Sequence, residues 1–260
     1  MRYYDERVEA SRNFANKVWN ASRFIMMNLE KAEIPENIDL STLTQADKWI
    51  LSKVNKLAKE VTANMDKYEL GIAVSKVYDF IWEEFCDWYI EMVKPRLYND
   101  SDATKGAALW TLNTVLINSL KLLHPYMPFV TEEIFCNLQD AEESIMISDW
   151  PEYKEEYNFE ADEEAVELIK EAVKSIRNVR SEMNVPPSKK ANVFVVSEDS
   201  KVRDIFEASR SFFATLGYAD EVFVQNDETG IEKDAVSTVI SKANIFKHYV
   251  RLRLYANGNC

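Results

Sequence analysis

Glycine is scarce in this chain of 260 residues, which has 5 glycines, 7 prolines, 3 cysteines and 2 histidines. So few glycines argue against a turn-rich all-β architecture and leave long helices uninterrupted. They also cannot build a glycine-rich phosphate loop, whose motif needs several glycines at fixed spacing. The cysteines Cys86, Cys136 and Cys260 match no metal-ligand spacing and are predicted to be reduced thiols. With two distant histidines, His124 and His248, no metal site is predicted.

Long hydrophobic runs are also missing, because charged residues interrupt every apolar stretch. The sequence therefore predicts no membrane span and no membrane partner. Its N-terminal residues, MRYYDERVEASRN, carry charge where a signal peptide needs an apolar stretch. Together with reduced cysteines, these absences predict a cytoplasmic protein.

The charge is strongly negative, with a formal net value of −13 that at first argues against a nucleic-acid partner. The acidic residues are concentrated, however, since residues 140–171 contain 13 of them against two lysines. Residues 1–31 have six basic and four acidic residues, and residues 172–203 have seven and three. The flanking segments thus remain open to an anionic partner.

Apolar residues recur at steps of three or four along the first half of the chain, which predicts an α-helical bundle. Thr44, Asp102 and Thr131 are the predicted N-caps, and Pro95 is predicted to end the third helix. The five predicted helices cover residues 3–31, 44–65, 70–96, 102–123 and 132–138.

Beyond the bundle the pattern changes to short β-like runs alternating with helices, which predicts a small α/β domain. Its predicted helices cover about 162–183 and 199–216, and its predicted strands 191–196, 221–224 and 235–240. The fold class is therefore mainly α. The predicted domains are a helical bundle (1–148), a solvated acidic linker (149–161), a small α/β domain (162–246) and a tail (247–260).

The polar side of the first helix is the first candidate binding site. Asparagine is a mediocre helix former, and several on one flank indicate a purpose other than stability. Amides and lysine can hydrogen-bond base edges and phosphates, and a phenylalanine can stack on an unpaired base. On these residues alone a solvated flank is the favoured interpretation, and RNA recognition is the alternative. The flank consists of Asn13, Asn16, Lys17, Asn20, Arg23 and Phe24.

A second candidate is a basic stripe on the helix predicted near 162–183, followed by two lysines after a Pro-Pro turn. Such a stripe can track a sugar-phosphate backbone. Basic residues also complement the C-terminal end of a helix, and the sequence does not decide between these interpretations. The residues are Lys170, Lys174, Arg177, Arg180, Lys189 and Lys190.

Four longer strings give a more specific indication. They are RVEASRNFANKVWNASRF (7–24), FIWEEFCDWYIEMVKPRLY (80–98), HPYMPFVTEEIF (124–135) and RNVRSEMNVPPSKK (177–190). In this order they resemble the valyl-tRNA synthetase family, from just after its catalytic domain onward, over about residues 2–245. The isoleucyl, leucyl and methionyl relatives share the bundle but usually lack the CDWYIE and HPYMPFVTEEIF strings. They remain the alternative within the same class I architecture.

The resemblance implies an anticodon-binding helical bundle whose partner is tRNA(Val). It turns the RNA interpretation of the first helix into the favoured one, and it implies backbone contacts from the second stripe. The implied anticodon residues are Arg12, Asn13, Asn16, Lys17, Asn20, Arg23 and Phe24. The possible backbone contacts are Lys174, Arg177, Arg180, Lys189 and Lys190.

The catalytic chemistry of that family needs HIGH and KMSKS motifs, and neither occurs in this sequence. We therefore expect this chain alone to be no enzyme and to need no cofactor, whereas the full-length enzyme would use ATP and Mg²⁺. We expect a monomer with no DNA partner. The tail 247–260 does not resemble the coiled coil that usually follows, so weaker tRNA binding is expected.

Two other functions remain open on the sequence. One is a helical protein-interaction scaffold that docks through the acidic segment 140–171. The other is an autonomous enzyme, for which the residues supply no catalytic constellation.

Overall fold

The structure is a computed structural model that describes residues 4–30, 38–139, 142–231 and 235–248. Contacts between Cα atoms divide the chain into two compact units, Met1–Glu163 and Glu164–Cys260. The first is helical and the second contains a small sheet. The predicted fold class, a helical bundle followed by a small α/β domain, is confirmed. No helix within the described ranges combines the length and apolarity needed to span a bilayer.

Amphipathic helices build the first unit around a core of large apolar side chains. One continuous helix runs from Leu70 to Leu97, and it widens into π-helical turns over Phe80–Tyr89. The α-helices are α1 (Asp5–Leu29), α2 (Gln45–Asp66), α3 (Leu70–Asp79), α4 (Ile90–Leu97), α5 (Lys105–Leu123) and α6 (Pro128–Leu138). The largest fully buried side chains of this core include Trp49, Phe85, Tyr89, Phe135, Leu109 and Leu112.

Two predicted helix starts were wrong. Asp102 does not cap α5 directly; its carboxylate accepts hydrogen bonds from the backbone and hydroxyl of Thr104, at 2.8 and 2.6 Å, in the turn before the helix. Helix α6 begins at Pro128 because proline suits a first helical position, where no N–H donor is needed. Thr131 is therefore inside the helix, and its buried hydroxyl donates to the Met127 carbonyl at 2.9 Å.

The acidic segment 149–161 is not the solvated linker that its charge predicted. The indole N–H of Trp150 donates to the Thr62 hydroxyl at 2.8 Å. The Asn55 amide makes two hydrogen bonds to the backbone of Lys154, at 2.7 and 2.8 Å. Side chains of α2 thus bind this segment, because its aromatic and backbone groups find partners there while its carboxylates stay at the surface.

A buried ion pair connects the start of α2 to α4. The Asp47 side chain is 0% exposed, and the Arg96 guanidinium donates to both of its carboxylate oxygens, at 2.8 and 2.9 Å. The Tyr89 hydroxyl donates to the same carboxylate at 2.7 Å, and the Thr44 backbone N–H at 2.9 Å. Burial, reinforced by the Asp47 charge, raises the pKa of Tyr89 well above its ordinary value. The predicted helix start at Thr44 is confirmed.

The second unit has a four-stranded sheet in the order β2-β1-β4-β3. Strands β1 and β2 are parallel, and β4 is antiparallel to both β1 and β3. The helices are α7 (Glu160–Glu182), whose first turn belongs to the first unit, α8 (Ser200–Ala208) and α9 (Arg210–Leu216). The strands are β1 (Ala191–Val196), β2 (Ala219–Gln225), β3 (Val236–Ile240) and β4 (Ala243–His248).

Strand β4 was not predicted, and the expected tail 247–260 was wrong at its first two residues, which belong to this strand. Lys247 lies on the face of the sheet covered by helices, where it is 2% exposed and its ammonium donates to the Gly217 carbonyl at 3.1 Å. The rest of the predicted tail, residues 249–260, lies outside the described residues.

Candidate nucleic-acid interface

The polar flank of α1 forms one wall of a groove of about 490 Å³, and the helix 70–97 forms the other. The opposite side of α1 is fixed in the core by Phe14, Val18 and Ile25, so the flank is held facing the groove. The residues lining the groove are Asn13, Asn16, Lys17, Asn20, Ala21, Phe24, Cys86, Ile90, Glu91 and Lys94.

Five of the seven predicted anticodon residues are therefore brought together in one place. The other two do not line the groove. Arg12 is exposed and pairs with Glu9 on its own helix at 3.4 Å, and the Arg23 side chain is exposed on the adjoining surface. The roles of all seven in RNA recognition remain predictions.

Lys17 is the most constrained of the groove residues. Its ammonium lies 2.6 Å from an Asp87 carboxylate oxygen and 3.8 Å from the centroid of the Trp82 ring. The Trp82 ring is itself stacked on Tyr78, with centroids 5.7 Å apart and an interplanar angle of 12°. A cation held over an aromatic face and against a carboxylate keeps one position, which a binding site needs.

The π-helical turns explain why Trp82 and Asp87 both reach Lys17. Residues five apart come round to the same face of a π-helix, whereas in an α-helix residues three or four apart do so. Trp82 and Asp87 are five apart, and both lie within the π-helical turns. π-helical turns inside α-helices occur frequently at functional sites.

At the other end of the groove, the partly exposed Phe24 ring offers a flat apolar surface. The Lys94 ammonium lies 5.7 Å from the centroid of this ring and forms an ion pair with Glu91. The amide side chains of Asn16 and Asn20 line the same wall of the groove as Lys17 and Phe24. Hydrogen-bonding amides next to a ring suit an unpaired base, which needs a stacking partner and polar contacts at its edge.

The Cys86 thiol lines the groove and is not activated as a nucleophile. Burial raises its pKa to about 12, while the nearby Lys17 ammonium opposes this shift and Asp87 adds to it. A thiol with so high a pKa stays protonated at neutral pH, so the groove holds no thiolate nucleophile at this position.

Sequence reasoning missed the second wall of the groove, namely Cys86, Ile90, Glu91 and Lys94, and the contacts of Trp82 and Asp87 with Lys17. The string that contains them was noticed only as a resemblance, and α-helical spacing puts Trp82 on a different face from Asp87. The five-residue spacing between aromatic and acidic positions is the signal that would have grouped them.

The second predicted stripe is only partly on the surface. Lys174, Lys189 and Lys190 are exposed, and Arg177 is half-buried with its Nε donating to the Leu216 carbonyl at 2.8 Å. Arg180 is 4% exposed, so its assignment as a backbone contact was wrong. Its guanidinium donates to the carbonyls of residues 186 and 189, at 2.6 and 2.7 Å, and holds the loop after α7. The three exposed lysines and Arg177 stay predictions.

The described residues thus form a helical bundle with a groove of amides, an aromatic ring and paired charges, and a small α/β unit. A family profile described as "Anticodon-binding domain of tRNA ligase" matches residues 47–195. The chain belongs to this family.

Curated relatives extend the similarity to most of the chain. Valine–tRNA ligase of Clostridium tetani is 49% identical over 246 residues, which are 95% of this chain and 28% of that protein. The Clostridium acetobutylicum enzyme is 50% identical over the same shares. The Staphylococcus carnosus enzyme is 40% identical over 92% of this chain and 27% of its own length. The chain thus spans a little over a quarter of the curated relatives that it matches.

Proposed function

We propose that this chain recognises the anticodon of tRNA(Val) for a valine–tRNA ligase. The groove between α1 and the helix 70–97 carries the proposal, because it combines amide donors and acceptors with the partly exposed ring of Phe24. Splayed anticodon bases are recognised by this combination of stacking and edge contacts. Membership in the anticodon-binding family and the valine–tRNA ligase relatives support the same function.

In this proposal, the ATP- and Mg²⁺-dependent ligation of valine takes place in a catalytic domain outside this chain. The chain contributes tRNA positioning as a monomer in the cytoplasm and needs no cofactor of its own. The chain spans only 28% of the Clostridium tetani relative, which leaves most of such a protein for the catalytic steps.

Binding should depend on the anticodon and on salt. In an anisotropy titration at moderate salt, a tRNA(Val) anticodon stem-loop is expected to bind at least about tenfold more tightly than one with two anticodon bases changed, since each lost base contact costs roughly 1–3 kcal/mol. Affinity for both RNAs should fall as salt rises, because phosphate contacts release counterions. Equal affinity for the two stem-loops would refute anticodon recognition.

Phe24→Ala is expected to weaken binding of the native stem-loop by roughly 1–3 kcal/mol, about 5- to 150-fold, if the ring stacks on a base. Trp19→Ala is the matched control, because Trp19 is an exposed aromatic on the same helix that does not line the groove. Its effect should stay within about twofold. A loss of melting temperature without a loss of affinity in Phe24→Ala would assign this ring to packing instead.

A further inference from the structure

Both lysines that line the groove are already paired with carboxylates. The Lys17 ammonium contacts Asp87, and the Lys94 ammonium contacts Glu91. The remaining polar lining consists of neutral asparagine amides. The groove therefore offers polar contacts without an excess of positive charge, which is unusual for a surface that binds a polyanion.

The pairing at Lys17 is set up by the fold. The π-helical turns place Trp82 and Asp87 on one face of their helix, and Trp82 is fixed by stacking on Tyr78 and by the Phe14 ring, at 5.7 and 6.4 Å between centroids. The Lys17 side chain is only 22% exposed, whereas that of Asp87 is 52% exposed. The Asp87 carboxylate is therefore the more solvent-exposed partner of the pair.

This arrangement distinguishes a phosphate from a base. A phosphate that approaches Lys17 is repelled by the exposed Asp87 carboxylate and must displace it, because both anions compete for the same ammonium. A lysine ammonium has three donors, so with one directed at Asp87 it can still donate to a neutral base edge. Phosphate contacts carry no sequence information, whereas base-edge contacts do.

We infer that Asp87 is a specificity-determining residue for RNA, and this inference rests on the proposed function. It positions Lys17 for a base edge and suppresses sequence-independent attraction of the backbone to that ammonium. Asp87 acts through Lys17 and Trp82, and it need not touch the RNA itself. The anticodon selectivity of the groove then depends on a carboxylate that, by its charge alone, opposes RNA binding.

The test is Asp87→Asn, which keeps the shape of the side chain and removes its charge. Titrations of the native and changed stem-loops over a salt series should show tighter binding of the changed RNA by about two- to fivefold. The dependence of log affinity on log salt should steepen by about 0.7–0.9, the value for one added phosphate contact. Discrimination between the two stem-loops should fall by the same factor of about two to five.

Asp79→Asn is the matched control, since Asp79 is an exposed residue of the same helix that does not line the groove. It removes the same charge and should leave both the salt dependence and the discrimination unchanged. A further control is Lys17→Ala, because in that background Asp87→Asn should no longer steepen the salt dependence. Equal melting temperatures of Asp87→Asn and the unsubstituted protein would exclude a folding effect.

The outcomes separate this inference from the function on which it rests. If the unsubstituted protein discriminates between the stem-loops and Asp87→Asn does so equally well with the same salt dependence, the inference is overturned and the function stands. If Asp79→Asn reproduces the effect, net charge explains it and the inference is again overturned. If the unsubstituted protein shows no discrimination, the proposed function fails and the inference fails with it.

Discussion

Replacing Arg96 with methionine is expected to lower the free energy of unfolding of the helical unit by about 3–5 kcal/mol. The substitution leaves the Asp47 carboxylate 0% exposed and without its cation. Desolvation of a single buried charge costs far more than the pair contributes when intact, which is why removal of one partner has so large an effect. Urea unfolding followed by tryptophan fluorescence measures the loss selectively, since all 6 tryptophans precede the second unit.

Lys105→Met is the matched control for this prediction. Lys105 forms an ion pair with Asp100, whose side chain is 94% exposed, and exposed pairs contribute only about 0–1 kcal/mol. In the double variant Asp47→Asn, Arg96→Met, part of the stability should return, because the unpaired charge is gone. A loss below about 1 kcal/mol for Arg96→Met would mean that water reaches Asp47, contrary to the structure.

Lys247→Met is expected to raise the stability of the second unit at pH 7 and to flatten its pH dependence. Burial lowers the pKa of Lys247 from 10.5 to about 7, and the positive charge of Arg180 adds to this shift. Between pH 7 and 10.5 the unfolded chain binds a proton that the folded chain has lost, so the stability of the unsubstituted protein rises with pH. Below pH 7 both states are protonated, and the full cost of burying the charge remains.

The substitution should remove a rise in the free energy of unfolding with pH, which is at most about 1.4 kcal/mol per pH unit between pH 7 and 10.5. A counteracting loss of about 1 kcal/mol is expected from the hydrogen bond to the Gly217 carbonyl. Urea unfolding of the second unit at several pH values, monitored through the hydrogen exchange of the β1 amides, measures both effects. Lys242→Met, at an exposed position between β3 and β4, should leave the profile unchanged. Parallel profiles for Lys247→Met and the unsubstituted protein would contradict the prediction.

Much of the architecture was predictable because most elements follow simple rules. The apolar stripe of α2 and the start at Thr44 follow from helical spacing and capping, and the apolar run Ala191–Val196 gave the bounds of β1 as observed. Strand β4 was not predicted because its polarity does not match its burial. The charged Lys247 is buried, while Phe246 lies on the other face of the sheet and is only partly buried. No local rule places a lysine on the covered face of a sheet.

Half of the candidate site was predictable for the same reason. The flank from Asn13 to Phe24 follows α-helical spacing, and five of its six members line the groove together. Trp82 and Asp87, which contact Lys17, are related by the wider π-helical turns, and the composition of that segment does not indicate such turns. The burial of Arg180 was equally hidden, because the carbonyls that hold it come from a loop whose course depends on tertiary structure.

The π-helical turns between Phe80 and Tyr89 also set the rotational phase of α4, that is, the directions in which its side chains point. Lys94 reaches the Phe24 ring and Arg96 reaches Asp47 from opposite sides of α4, and both depend on that phase. Removing one residue from the wide turns would restore α-helical winding and rotate α4 by roughly a quarter of a turn or more. The groove proposed to bind RNA and the buried pair that stabilises the bundle therefore both depend on the winding of a single helix.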